Sequence, residues 1–200
     1  TPTQIDSLRQ FVGIDRITLT PDSLLHKSDP RVMVDCGAIA KGYGVDRVAH
    51  VLRKHGVRNY MVEIGGEVVV KGRNPNGRPW QIGISKPIDD KSGQERELQT
   101  VLSLQDCAVA TSGNYRNFYV KDGRKYAHTI DPRTGQPVQH SLLSATVMAP
   151  DCATADAYAT AFMVLGVEGA QKVLDKHKEL RVYFIYEDTD GSLKVYRKGM

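Results

Sequence analysis

An α+β fold, largely antiparallel, is what this sequence predicts. Two observations carry the expectation. Short β-prone runs with alternating faces recur along the chain, punctuated by Gly, Asn and Asp turn residues. Only a few stretches carry helical periodicity, chiefly residues 39–55 and 152–177. The chain of 200 residues suits one domain and holds no internal repeat, low-complexity tract or linker.

Ile5, Leu8 and Phe11 fall at helical spacing, so the chain opens in the tail of a helix. Residues 14–20 and 31–34 read as strands. Residues 39–55 read as a helix with Val45, Val48, Ala49 and Leu52 on one face, and Gly56 sits where a C-terminal cap belongs. Residues 60–71 are β-rich but interrupted by Gly65-Gly66, a bulge, a turn or a close backbone approach. Asn74-Pro75-Asn76-Gly77 is a turn, residues 80–85 a strand, and residues 87–97 a polar loop. Strands follow at 98–104, 108–111, 117–121 (closed by Asp122-Gly123) and 142–148. Gly166 separates a helix over 152–165 from a second over 167–177. Residues 182–186 and 193–196 close the chain as a hairpin about Asp190-Gly191.

The net charge of +4 is spread along the chain, with no basic stripe interleaved with aromatics, which argues against nucleic-acid binding. No segment is apolar for long enough to span a bilayer, and no signal peptide is present. The opening Thr1-Pro2-Thr3, without Met, reads as a processed or truncated start. The three cysteines, Cys36, Cys107 and Cys152, are odd in number and lack CxxC spacing. That excludes a disulfide framework and argues against zinc; all three read as small buried apolar residues.

Chemistry concentrates in a few segments. Asp156 and Thr160 stand four apart on a predicted helix and share one face. A carboxylate and a hydroxyl suit Mg²⁺ or Ca²⁺ rather than zinc, although two ordinary polar helix residues give the same pattern. Alanines at 153, 155, 157, 159 and 161 keep this helix slim enough for close approach. His128 precedes the rigid turn Asp131-Pro132-Arg133-Thr134-Gly135, where an imidazole suits a general base; a histidine packed on the turn is the plain alternative. The other five histidines have no comparable setting and read as structural or solvated. Asp35-Cys36-Gly37-Ala38-Ile39-Ala40-Lys41-Gly42-Tyr43-Gly44-Val45-Asp46 joins a strand to a helix, and its small residues and exposed N–H groups favour phosphate, with Lys41 adding charge. A tight strand–helix turn explains the segment equally, and it is neither a P-loop nor a dinucleotide fingerprint. Glu63-Ile64-Gly65-Gly66-Glu67 and Thr111-Ser112-Gly113-Asn114-Tyr115-Arg116 are Gly-centred polar stretches ending β-runs; Arg116 would suit a phosphate or a surface ion pair.

Taken in order, these five segments resemble the ApbE family, the FAD:protein FMN transferases. The resemblance covers nearly the whole chain, as one ApbE-type domain over residues 1–200 that lacks the N-terminal part of the family domain. It implies a T-fold-like α+β architecture. It implies an enzyme that cleaves the FAD pyrophosphate, releases AMP and attaches FMN by a phosphoester to a Thr or Ser of a target flavoprotein. Such targets include flavin-carrying subunits of sodium-pumping quinone reductases and related redox complexes. By the same resemblance, Mg²⁺ is held by the Ala38 carbonyl and the side chains of Asp156 and Thr160. FAD is contacted at Asp35, Lys41 and Ile130, and His128 is the catalytic base. Cys36 stands where the family often has Leu. FAD hydrolysis to FMN and AMP, a non-catalytic flavin-binding module and a purely structural domain are the alternatives. Family habit also implies a lipoprotein on the periplasmic face of the bacterial inner membrane.

Overall fold

In a computed structural model of the chain, residues 1–87, 97–114, 118–121, 124–127 and 129–200 are described, 118–121 and 124–127 as backbone only. The centre is a six-stranded antiparallel sheet. Its strands are β3 (Tyr60–Ile64), β4 (Glu67–Lys71), β7 (Cys107–Gly113), β12 (Leu142–Ala149), β13 (Arg181–Glu187) and β14 (Leu193–Lys198), in the order β14-β13-β12-β7-β4-β3. Helices α2 (Ala40–Lys54) and α3 (Cys152–Leu174) cover one face. The hairpin of β5 (Trp80–Ser85) and β6 (Leu98–Leu104) covers the other.

Strand alternation explains how both faces are filled. Ala145, Val147 and Ala149 of β12 and Val182 and Phe184 of β13 pack under α3 against Ala155, Ala159, Phe162 and Met163. Val69 of β4 and Ala108 of β7 lie under α2 with Val45 and Ala49. The intervening Val68, Val70, Val109 and Met148 meet Leu104 and Trp80 of the β5–β6 hairpin. Fully burying a side chain such as Phe162 or Phe184 is worth roughly 1.5–3 kcal/mol.

The expected break at Gly166 is present: its φ of 69° and ψ of −179° interrupt α3, and helix ends at Leu174, with a turn onward to His177. His140 stabilises the break, its Nε2 lying 2.8 Å from the Met163 carbonyl while Nδ1 accepts from the Leu142 N–H. Gly65 and Gly66, both at positive φ, form the two-residue turn that makes β3 and β4 a hairpin.

Four expectations need correction. Residues 31–34 are not a strand. Lys27 Nζ donates to the Pro30 and Val32 carbonyls and Asp29 accepts the Arg31 N–H, so side chains fix this backbone locally. The strand pair of this region is instead β1 (Ile17–Leu19) with β2 (Leu25–Lys27), residues 14–16 forming a short 3₁₀ turn. Helix α1 (Pro2–Arg9) stops before Phe11, whose ring lies under the Arg31 guanidinium at 4.1 Å. Cys36 is exposed, unlike Cys107 and Cys152, because it sits in the loop entering α2 rather than in a packed element.

Three further strand pieces went unforeseen: β9 (Arg124–Ala127), which pairs β8 (Phe118–Lys121), and the short pair β10 (Ile130–Asp131) and β11 (Gln136–Pro137). The expected turn at Asp122-Gly123 lies outside the described residues, as do residues 88–96 of the expected polar loop.

Candidate active site

The candidate site is built where α2 and α3 cross. Helix α2 has Ile39 at its N-cap, a side chain that cannot accept a hydrogen bond, so the first N–H groups need partners from elsewhere. Asp156, reaching over from α3, supplies one: its Oδ2 accepts the Gly42 N–H at 2.9 Å. Gly42 permits the approach, since a Cβ there would collide with the Cys152 carbonyl and sit 2.8 Å from Asp156 Cβ. The capping is reciprocal. Asp46 of α2 accepts the Cys152 N–H at 3.0 Å and the Ala153 N–H at 2.9 Å, closing the start of α3. Asp151 completes that cap on the Thr154 N–H.

Asp156 is only 5% exposed, and its second oxygen accepts no hydrogen bond among the described residues. The Ala38 carbonyl, four residues before Gly42, likewise accepts none among them. Thr160, one turn after Asp156, lies with its hydroxyl 3.4 Å from that of Ser112 at the end of β7. A carboxylate oxygen, a carbonyl and a hydroxyl are an all-oxygen donor set of the kind a hard divalent cation takes, and the two uncommitted oxygens fit that use. No cluster of three or more His, Cys, Asp or Glu suited to a metal occurs among the described residues.

Lys41 follows on the exposed side of the α2 start. Its ammonium meets Glu67 Oε1 at 2.7 Å, with the lysine side chain 47% exposed and the glutamate 2%. Glu67 opens β4 on the face that carries Val69, hence beneath the helices. Burial pushes its carboxyl above the usual range; the Lys41 ammonium opposes this, and the nearby Asp156 charge reinforces it. Burial, with the charges of Asp46, Glu67 and Asp156, also drives the Cys152 thiol far up, so it is no nucleophile.

Asp35 lies in the exposed loop before α2, where its Oδ1 takes the Gly37 N–H at 2.6 Å and shapes the turn. Ile130, 48% exposed on β10, is tied to the end of β7 by its neighbour: the Thr129 hydroxyl donates to Asn114 Oδ1 at 2.7 Å. Polar groups thus run from Thr129 through the end of β7 to Thr160, Asp156 and the α2 start. An open pocket of about 350 Å³ lies beyond Ile130, lined by Asp131, Thr134, Gln136 and Val138. His128 and Arg116 lie outside the described residues.

Three of these residues lie in segments noted from sequence but had no individual role there: Asp46, Ser112 and Glu67 as a buried group. Asp46 had a signal, a carboxylate one turn after Gly42 on a helix whose own start lacks a capping residue.

The comparisons agree with this architecture. The model of the ApbE family matches residues 1–184. The chain is similar to a FAD:protein FMN transferase of Haemophilus influenzae, 45% identical over 96% of this chain and 55% of the relative. It is 42% identical to one from Vibrio cholerae over the same shares. It thus spans about half the length of the curated relatives it matches. The solved flavin transferase ApbE from Vibrio cholerae superposes with a TM-score of 0.87 at 40% identity, covering 100% of this chain and 61% of that one.

Proposed function

The chain belongs to the ApbE family, and on that premise we propose that it is the catalytic portion of a Mg²⁺-dependent FAD:protein FMN transferase. The acceptor is a Thr or Ser hydroxyl of a flavoprotein subunit in a redox complex. The observation that carries the reading is Asp156, buried, fixed by one oxygen to the start of α2 and keeping the other uncommitted among the described residues.

In this reading Ala38, Asp156 and Thr160 would hold Mg²⁺, which would supply charge neutralisation at the pyrophosphate. Lys41 and the N–H groups of the loop entering α2 orient the phosphates. Asp35 and Ile130 contact the flavin nucleotide. The acceptor oxygen bonds to the FMN phosphorus as the bond to AMP breaks, and His128 takes the hydroxyl proton. Family habit puts the protein on the periplasmic face of the inner membrane as a lipoprotein; separately, no helix among the described residues is long and apolar enough to cross a membrane.

Incubation with FAD, Mg²⁺ and a Thr-containing acceptor, followed by mass spectrometry, tests the proposal. The expected result is an FMN-sized mass gain on the acceptor with stoichiometric AMP, both lost in His128→Ala. AMP with free FMN and no acceptor gain would replace transfer by hydrolysis. FAD retention without AMP would replace it by a binding module.

A further inference from the structure

Glu67 is an expensive residue to keep. It is 2% exposed, and while Oε1 holds the Lys41 ammonium at 2.7 Å, Oε2 is buried with no hydrogen-bond partner among the described residues. A half-satisfied buried carboxylate contributes little to stability, and an apolar side chain of similar volume would do at least as well. The cost therefore points to what the other oxygen does.

Lys41 is held at two levels. Its stem crosses the β3–β4 turn, where a Cβ on Gly65 would lie 3.2 Å from Lys41 Cδ. Its head is anchored by Glu67. An ammonium carries three donors, and the ion pair uses one. With the lysine half exposed, the others have no partner among the described residues and face solvent at the start of α2. Without the anchor, a four-carbon stem on an exposed helix turn would sample many rotamers and lose side-chain entropy on meeting a ligand.

We infer that Glu67 is the positioning residue for Lys41, fixing its ammonium at the α2 N-terminus to receive a phosphate oxygen of the FAD pyrophosphate. This rests on the flavin reading above. Glu67 touches no substrate and acts only through Lys41.

The test compares the unsubstituted protein with E67Q, K41M and the double variant. The readouts are FAD affinity by flavin fluorescence, KM for FAD and kcat. A third readout needs no flavin: acylation of Lys41 by an N-hydroxysuccinimide ester, followed by mass spectrometry. E67Q should raise KM for FAD about tenfold with kcat changed less than about twofold, and should raise Lys41 acylation several-fold. K41M should raise KM by at least as much, and adding E67Q to it should change nothing further. Additive effects in the double variant, an unchanged KM in E67Q, or unchanged Lys41 acylation would each overturn the inference. Glu67→Asp withdraws the carboxylate by one methylene and serves where E67Q fails to fold; a normal KM for FAD there has the same consequence. No FAD binding by the unsubstituted protein would overturn the flavin reading and this inference with it. Normal binding that Glu67 variants leave untouched would overturn the positioning role alone.

Discussion

Asp46 and Asp156 occupy mirror positions, each on one helix and each capping the start of the other. Asp46 spends both oxygens, one on the Cys152 N–H and one on the Ala153 N–H. Among the described residues Asp156 spends only Oδ2, on the Gly42 N–H. Two carboxylates of identical chemistry in reciprocal places thus differ in what they have left over. A saturated carboxylate at a helix start is a structural cap worth about 1 kcal/mol. A carboxylate held by one oxygen, with Thr160 a turn away, has fixed direction and a lone pair to spare, which is what a metal ligand needs.

Replacing each with Ala should therefore separate the two. Asp156→Ala should lower transfer at least 10²–10³-fold, or about 3–4 kcal/mol of transition-state stabilisation, by the usual scale for losing an electrostatic element. Asp46→Ala should leave far more activity per folded molecule. Equal losses in the two, measured as AMP release and corrected for the folded fraction, would erase the distinction. Wild-type turnover in Asp156→Ala with Mg²⁺ present would refute the metal assignment itself.

Gly42→Ala probes the crossing that sets both contacts. Alanine normally favours a helix interior over glycine by about 0.5–1 kcal/mol. Here the new methyl meets the Cys152 carbonyl, backbone that has no rotamer to escape into. The expected outcome is a loss of up to about 3 kcal/mol in urea denaturation. A gain in stability would mean that the helices cross less tightly. Asp46→Ala comes next, at about 1–2 kcal/mol by the same measurement, since it leaves two N–H groups at the start of α3 without their acceptor.

The contrast between the two aspartates also marks what was legible in the sequence. Asp156 and Thr160 share a helix face by spacing alone, and the small residues around Gly42 signalled close approach. The central strands and the break at Gly166 follow from periodicity and from punctuation by glycine. What escaped was long-range. Asp46 meets the backbone of Cys152 across more than a hundred residues, and Glu67 is buried only because the β3–β4 hairpin carries it beneath α2. Residues 31–34 misled in the opposite direction: Val32, Met33 and Val34 look like a strand, but the side chains of Lys27 and Asp29 settle that backbone locally. His128 lies outside the described residues, so its role stays with the assay.

The smallest expected effect concerns pH. Burial raises the Glu67 carboxyl, opposed by Lys41 and assisted by the charge of Asp156, the groups that face it. The folded protein then binds this proton more tightly than the unfolded chain does. Its stabilising share is complete below the unfolded carboxylate pKa of about 4.3 and is lost as pH rises through the raised folded value. Asp131 and Asp106 behave oppositely. Arg133 lowers the first, and the Gly72 N–H and Lys71 lower the second, so their shares are present above about pH 3.9 and fade as pH falls. The whole-protein profile mixes both signs, but the difference between E67Q and the unsubstituted protein isolates one. E67Q should gain in Tm relative to its parent as pH rises from about 4 to about 7, by no more than about 4 °C. A difference that stays flat across that range would show that the ion pair with Lys41 fully offsets burial. A difference of opposite slope would make Glu67 a stabilising partner of Lys41 and remove the reason to regard its burial as a cost kept for function.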